Sequence, residues 1–270
     1  MIELSNFWLA VLLTSFAGLS TGIGSLIAMY AKRTNTSFLS VSLGFSAGVM
    51  IYISFVELFS EAKSILTDNF GKSGEWTCAI MFFAGFVIFA LIDKLVPNYE
   101  NPHEMHNVEE MRDIKEADRF RHLHRVGILM AIAIGIHNFP EGMVTFLSSM
   151  ADSKLGIAIA FAVAIHNIPE GIAVSVPIFY ATGSRKKAFV YSFLSGLSEP
   201  LGGILGYFLL RPFISDVVLG MTFAVIAGMM VFISFDSLLP SAEKYGRHHL
   251  AILGLVLGMV VMAASLLLSR

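Results

Sequence analysis

Between Leu4 and Ala31 the chain carries no charged residue, and between Thr34 and Val56 it again carries none. A stretch of roughly 20 apolar residues is long enough to cross the hydrocarbon core of a bilayer as a helix. Trp76–Ile92, Val126–Met150, Leu155–Tyr180, Ala188–Leu210, Val217–Phe235 and Leu250–Ser269 read the same way, so the sequence predicts eight membrane spans. Only 14% of the 270 residues are charged, where soluble domains carry about 25%. With 56% hydrophobic residues and a mean hydropathy of +0.74, the fold class is an all-α integral membrane protein, one transmembrane domain over 1–270. The polar stretch Asp93–Arg125 is too charged to sit in lipid and reads as a loop (94–125) between the third and fourth spans.

Charge asymmetry orients the spans. Thirteen of the 18 Lys and Arg residues fall in the loops after spans 1, 3, 5 and 7, which the positive-inside rule puts in the cytoplasm. Both termini then face outward. The first residues, MIELSNFWLA, lack the basic n-region of a cleaved signal, so the first span reads as a permanent helix. The net charge of −2 argues against a nucleic-acid partner, and the bilayer itself is the surrounding partner. The single cysteine, Cys78, excludes a disulfide framework and a cysteine metal cluster within one chain, and reads as a buried thiol.

Two internal repeats organise the chain. AGVMIYISFVELFSEA (47–62) in span 2 matches AGMMVFISFDSLLPSA (227–242) in span 7 at eight of sixteen positions. These spans run in opposite directions in the eight-span topology, so spans 1–3 and 6–8 form inverted repeats around spans 4 and 5. Inverted repeats with a polar site at their interface are characteristic of secondary transporters. The second repeat is chemical: HNFPEG (137–142) in span 4 returns as HNIPEG (166–171) in span 5.

Ionisable residues inside the spans are few, and they cluster in sequence motifs. Glu141, Glu170 and Glu199 lie near the middles of spans 4, 5 and 6, with His137 and His166 one turn before the first two. A charge at mid-bilayer costs about 2.5–3.5 kcal/mol on insertion scales. Three such costs are comparable with the whole stability of a domain, of order 5–15 kcal/mol. No Lys or Arg lies at similar depth, so the countercharge must come from outside the chain, as a cation or protons. At about 100° per residue, Asn138 stands about 100° and Glu141 about 40° from His137, on one helix face. Each Glu then lies between an imidazole and an amide, and His166, Asn167 and Glu170 repeat the pattern. Such a mixed N/O set suits zinc, ferrous iron, manganese or cobalt better than calcium or magnesium, which prefer oxygen alone. Pro140 and Pro169 cannot donate to the carbonyls of Ile136 and Ile165, which frees an acceptor beside the ligands. Glu199, in LSGLSEPLGG, reads as a third contributor that completes a second metal position. Gly142 and Gly171, with the glycines around Glu199, mark close helix contacts, and Gly22 and Gly24 read as another contact rather than a phosphate loop.

Together the doubled HNxPEG, the SEPLGG segment, the eight spans and the charged loop between spans 3 and 4 resemble the ZIP family of divalent-metal transporters. That resemblance covers essentially the whole chain. It implies a 3+2+3 helix arrangement, a binuclear site between spans 4, 5 and 6, a homodimer in the cell (inner) membrane, and passage of metal from outside into the cytoplasm. Carried over by residue, the metal ligands fall on His137, Asn138, Glu141, His166, Asn167, Glu170 and Glu199. The metal, such as Zn2+ or Fe2+, is cargo, and no catalytic cofactor is implied. An intramembrane metalloenzyme is the alternative class, but HNxPEG lacks the catalytic Glu of a HExxH helix. Exporters of the cation-diffusion type carry six spans and a cytoplasmic domain, and neither feature is read here. Glu57 and Glu61 at the outer end of span 2, and Asp236 and Glu243 at the inner end of span 7, are candidate funnel residues or solvated acids. His103, His106, His122 and His124 in the polar loop are candidates for metal capture, with a solvated loop as the simpler reading.

Overall fold

A segment in lipid has no water to satisfy its backbone, so its N–H and C=O groups must pair within the segment. The computed structural model describes residues 4–30, 36–95, 116–213, 215–245 and 248–269, and its regular elements are all helical. In chain order they are α1 (Leu4–Tyr30), α2 (Thr36–Tyr52), α3 (Phe59–Phe70), α4 (Lys72–Leu95), α5 (Glu116–Ala151) and α6 (Ser153–Thr182). Then come α7 (Arg185–Gly196), α8 (Ser198–Leu210), α9 (Asp216–Ile233), α10 (Leu239–Tyr245) and α11 (His248–Ser269). The chain is therefore an all-α, multi-pass membrane protein. Seven stretches of the described residues are long and apolar enough to span a bilayer, from Asn6–Tyr30 to His248–Leu268. Helix α5, 36 residues long, stands outside that set and carries the first HNxPEG. Outward-facing side chains are apolar, as on α1, where Trp8, Leu12, Phe16, Leu19 and Ile23 are exposed at helical spacing.

Several helices run past the limits that hydropathy sets. The second apolar stretch continues from α2 through a π-helical turn, Ile53–Leu58, into α3. The seventh does the same from α9 through a π turn at Ser234–Leu238 into α10. Backbone helicity persists into water because exposed Glu, Lys and Asp side chains do not oppose it; hydropathy marks only the lipid-buried part. At the start of α5 residues 116–125, read as loop from their charge, are helical.

The two π turns fall at matching places in the sequence repeat, and each contains the Ser-Phe pair, Ser54-Phe55 and Ser234-Phe235. Helix contacts are duplicated in the same way. Gly48 of α2 abuts the Leu255 carbonyl of α11, and its counterpart Gly228 of α9 abuts the Phe82 carbonyl of α4. Gly258 of α11 meets the Phe45 carbonyl as Gly85 of α4 meets that of Val225. Around the HNxPEG helices, Gly24 of α1 sits on the Ile168 carbonyl while Gly202 of α8 sits on that of Phe139. Small residues at these crossings let backbones touch, which is how helices associate where lipid removes the hydrophobic drive between them. The Gly24 reading as a helix contact holds. Cys78 is buried, its Sγ 3.8 Å from the Phe59 carbonyl.

Helix α6 begins at an N-cap. The Asp152 carboxylate accepts from the backbone N–H groups of Lys154 (2.7 Å) and Leu155 (3.2 Å). Asp152→Ala should lower stability by about 1 kcal/mol, with Asp152→Asn near wild type. Thermal unfolding in detergent checks this, and uptake should survive both changes because the cap lies away from the buried acids.

Candidate metal centre

Helices α5 and α6 pack against each other, α5 also against α8 and α6 against α1. Each HNxPEG therefore sits at a junction of helices, not on a lipid-facing surface. Helices α5 and α6 run unbroken through Pro140 and Pro169. The break falls in the third contributing span, at Leu197 between α7 and α8. Pro200 has no N–H for the Gly196 carbonyl, and the Ser198 hydroxyl turns back to the Ser195 carbonyl at 2.5 Å. Glu199 thus occupies the first turn of α8.

All seven residues singled out from the sequence are buried, none more than 4% exposed. The structure brings them together. Glu141 lies between two imidazoles: one oxygen is 3.0 Å from His137 Nε2, the other 3.2 Å from His166 Nε2. His137 Nε2 is also 3.3 Å from a Glu170 oxygen. Donor atoms of His137, Glu141 and Glu170 all lie within 4.8 Å of one another. Spacing along one helix places Glu141 between imidazole and amide; the packed pair places it between imidazoles of two helices. On the far side Asn167 Nδ2 donates to Glu199 and to the Ala17 carbonyl (2.9 Å).

Asn138 has two useful orientations. With Nδ2 on the Ser195 carbonyl (3.4 Å), its oxygen faces the Glu170 carboxylate. Turned over, the amide donates to Ile134 O (3.0 Å) and Glu170 Oε2 (3.2 Å). The first orientation presents two acceptors to each other, an arrangement that a cation between them would favour.

Close approach is not the same as mutual satisfaction. His137 Nε2, Glu141 Oε1, Glu170 Oε1, Asn167 Oδ1 and Glu199 Oε2 are buried and make no hydrogen bond among the described residues. A buried polar atom left unpaired costs about 1–3 kcal/mol. Of these atoms, His137 Nε2 lies within ion-pair distance of Glu141 Oε1 and Glu170 Oε1, while Asn167 Oδ1 and Glu199 Oε2 are left without a partner among the described residues, so the buried groups hold more acceptor lone pairs than they satisfy among themselves. His166 Nε2 alone among the imidazole contacts is aligned for a hydrogen bond, to Glu141.

A protein of Nitratidesulfovibrio vulgaris named zinc transporter ZupT is 60% identical to this chain over 99% of both. Relatives of the same name from Streptococcus mutans (59%, 97% of this chain and 98% of the relative) and Clostridium perfringens (59%, 98% and 98%) are similar. The family model described as ZIP zinc transporter matches residues 94–266. The chain belongs to the ZIP family. Its matched region contains every buried His and Glu of the centre, and the relatives are named as transporters, not enzymes.

The other candidate acids are not among the grouped His137, Glu141 and Glu170. Glu57 is half-buried in the first π turn, and Glu61 is exposed on α3. Asp236 is exposed, and exposed Glu243 lies 2.6 Å from His248 Nδ1. His103 and His106 lie outside the described residues, as do the side chains of His122 and His124. Sequence reading missed the carbonyls of Ala17 and Ser195, which hold the two amides, and the buried Thr21 beside them. A signal existed: GLSTGIG (18–24) in α1 parallels GLSEPLG (196–202), with Thr21 where the second copy has Glu199.

Proposed function

We propose that this chain carries divalent transition-metal ions, zinc foremost, from outside the cytoplasmic membrane into the cytoplasm. The buried cluster of His137, Glu141 and Glu170 donor atoms, together with the unpaired Asn167 Oδ1 and Glu199 Oε2, supports this reading most strongly. Imidazole nitrogens beside carboxylate oxygens form a donor set for zinc, iron(II), manganese or cobalt. His137, Glu141, His166 and Glu170 hold one ion. Asn167 and Glu199 hold a second beside it, and Asn138 turns its amide oxygen toward the metal. The relatives' name, zinc transporter, agrees with this chemistry.

Eight spans in a 3+2+3 arrangement carry the site, with α5 completing the count and both termini outside. The pairing of helices supports it: α2 on α11 is answered by α4 on α9, and α1 on α6 by α8 on α5. Metal loses its water to the His/Asn/Glu shell and leaves when that shell opens inward. Binding must be strong enough to dehydrate the ion and weak enough to release it.

In proteoliposomes, His137→Ala and Glu170→Ala should each nearly abolish zinc-65 uptake while size-exclusion chromatography shows a folded protein. Wild-type uptake by both would remove these residues from the site.

A further inference from the structure

The helix α1 that flanks α6 repeats, in contact after contact, the α7–α8 segment that flanks α5. Gly18 and Gly196 each abut the other's carbonyl. Gly171 of α6 abuts the Thr21 carbonyl as Gly142 of α5 abuts that of Glu199. Asn167 donates to Ala17 O as Asn138, in one orientation, donates to Ser195 O. Every one of these pairs puts Thr21 at the place that Glu199 holds on the opposite side. Thr21 is fully buried in a helix otherwise free of charge, and its hydroxyl has no hydrogen-bond partner among the described residues. That hydroxyl lies on the Gly196 face, one residue beyond the Ser195 carbonyl that receives Asn138.

Building on the metal centre proposed above, we infer that Thr21 and Asn138 form a second flanking position for the transported cation. It mirrors the flank made by Glu199 and Asn167. One flank is acidic and the other neutral, so a scaffold with duplicated contacts has unequal ends. The Glu199 flank holds a divalent ion with a charge; the Thr21 flank offers a hydroxyl and an amide oxygen beside Glu170. A hydroxyl in place of a carboxylate gives the ion a ligand without a countercharge, so the ion leaves more readily over this flank. The unpaired hydroxyl has a partner when the ion passes and none otherwise.

Four variants test it in proteoliposomes and by equilibrium dialysis with zinc-65: Thr21→Val, Glu199→Thr, Thr21→Glu and the exchange Thr21→Glu/Glu199→Thr. Thr21→Val keeps the shape and removes only the hydroxyl; it should raise KM for zinc about tenfold, the lower end of what a supporting metal-site contact contributes. Thr21→Glu should bind an additional zinc per chain and slow uptake. Glu199→Thr should lose one bound zinc, and the exchange should regain it, an effect that a merely structural threonine would not produce. A wild-type KM in Thr21→Val, or a folded exchange variant binding no more zinc than Glu199→Thr, overturns the inference. Unchanged zinc binding by Glu199→Thr itself would instead count against the metal centre on which it rests.

Discussion

Glu141→Ala should reduce zinc uptake to the level of protein-free vesicles, the largest effect of any single substitution in this chain. Its two carboxylate oxygens serve different helices, one 3.0 Å from His137 of α5 and the other 3.2 Å from His166 of α6. No other residue of the centre stands between both imidazoles. Contacts that merely support a ligand account for about 10–100-fold in affinity, so loss of a shared ligand should exceed that range. Glu141→Asp should retain a measurable fraction, because a carboxylate one methylene shorter can meet one imidazole but not both. Stability should fall as well. Both buried imidazoles approach Glu141, so removing its side chain leaves His166 without its carboxylate, leaves His137 with Glu170 alone, and opens a cavity. The metal-free Glu141→Ala protein should therefore unfold in detergent below the wild-type temperature. Initial rates of zinc-65 uptake beside a thermal melt check both halves. Wild-type uptake would exclude Glu141 as a shared ligand.

The seven candidate residues, all buried, were legible because lipid makes polarity conspicuous. A Glu in a soluble helix carries little information, whereas Glu141 and Glu170 one turn after a His in apolar spans can hardly be surface residues. Single-helix spacing, however, describes only one helix at a time. It puts Glu141 beside Asn138 and His137, and cannot say that His166 of the next helix takes its second oxygen. The π turns were illegible for a related reason: an inserted residue leaves no mark on hydropathy, and only its recurrence at Ser54 and Ser234 ties it to the repeat. Thr21 escaped notice because threonine is unremarkable in a membrane helix. Its importance comes from position, as the residue that stands in GLSTGIG where GLSEPLG carries Glu199. Pro200 accounts for the break at Leu197 in the structure, yet HNxPEG has the same proline and stays helical. The difference is that Gly196 precedes Pro200 by four residues and adds its own flexibility, while Ile136 and Ile165 occupy that place in α5 and α6.

Gly142→Ala should cost both stability and uptake, whereas Gly135→Ala in the same helix should cost neither. Intrinsic propensity alone would favour both changes, since Ala is better than Gly in a helix interior by about 1 kcal/mol. At Gly135 that gain is available, because an added methyl would find its nearest neighbour, the Ser198 hydroxyl, 3.9 Å away. At Gly142 the methyl would overlap the carbonyl of Glu199, and a backbone carbonyl cannot rotate out of the way as a side chain can. Relief requires α8 to move off α5, and overpacking of this kind costs about 1–3 kcal/mol, enough to reverse the propensity gain. The displaced helix carries Glu199 in its first turn, and that carboxylate accepts from Asn167 of α6. Uptake should therefore fall further than the melt alone would predict. Gly142→Leu, bulkier at the same point, should lose uptake altogether. The decisive comparison is between the two alanine variants. If Gly142→Ala melted and transported like Gly135→Ala, the contact between α5 and α8 would not be what holds Glu199 in the centre.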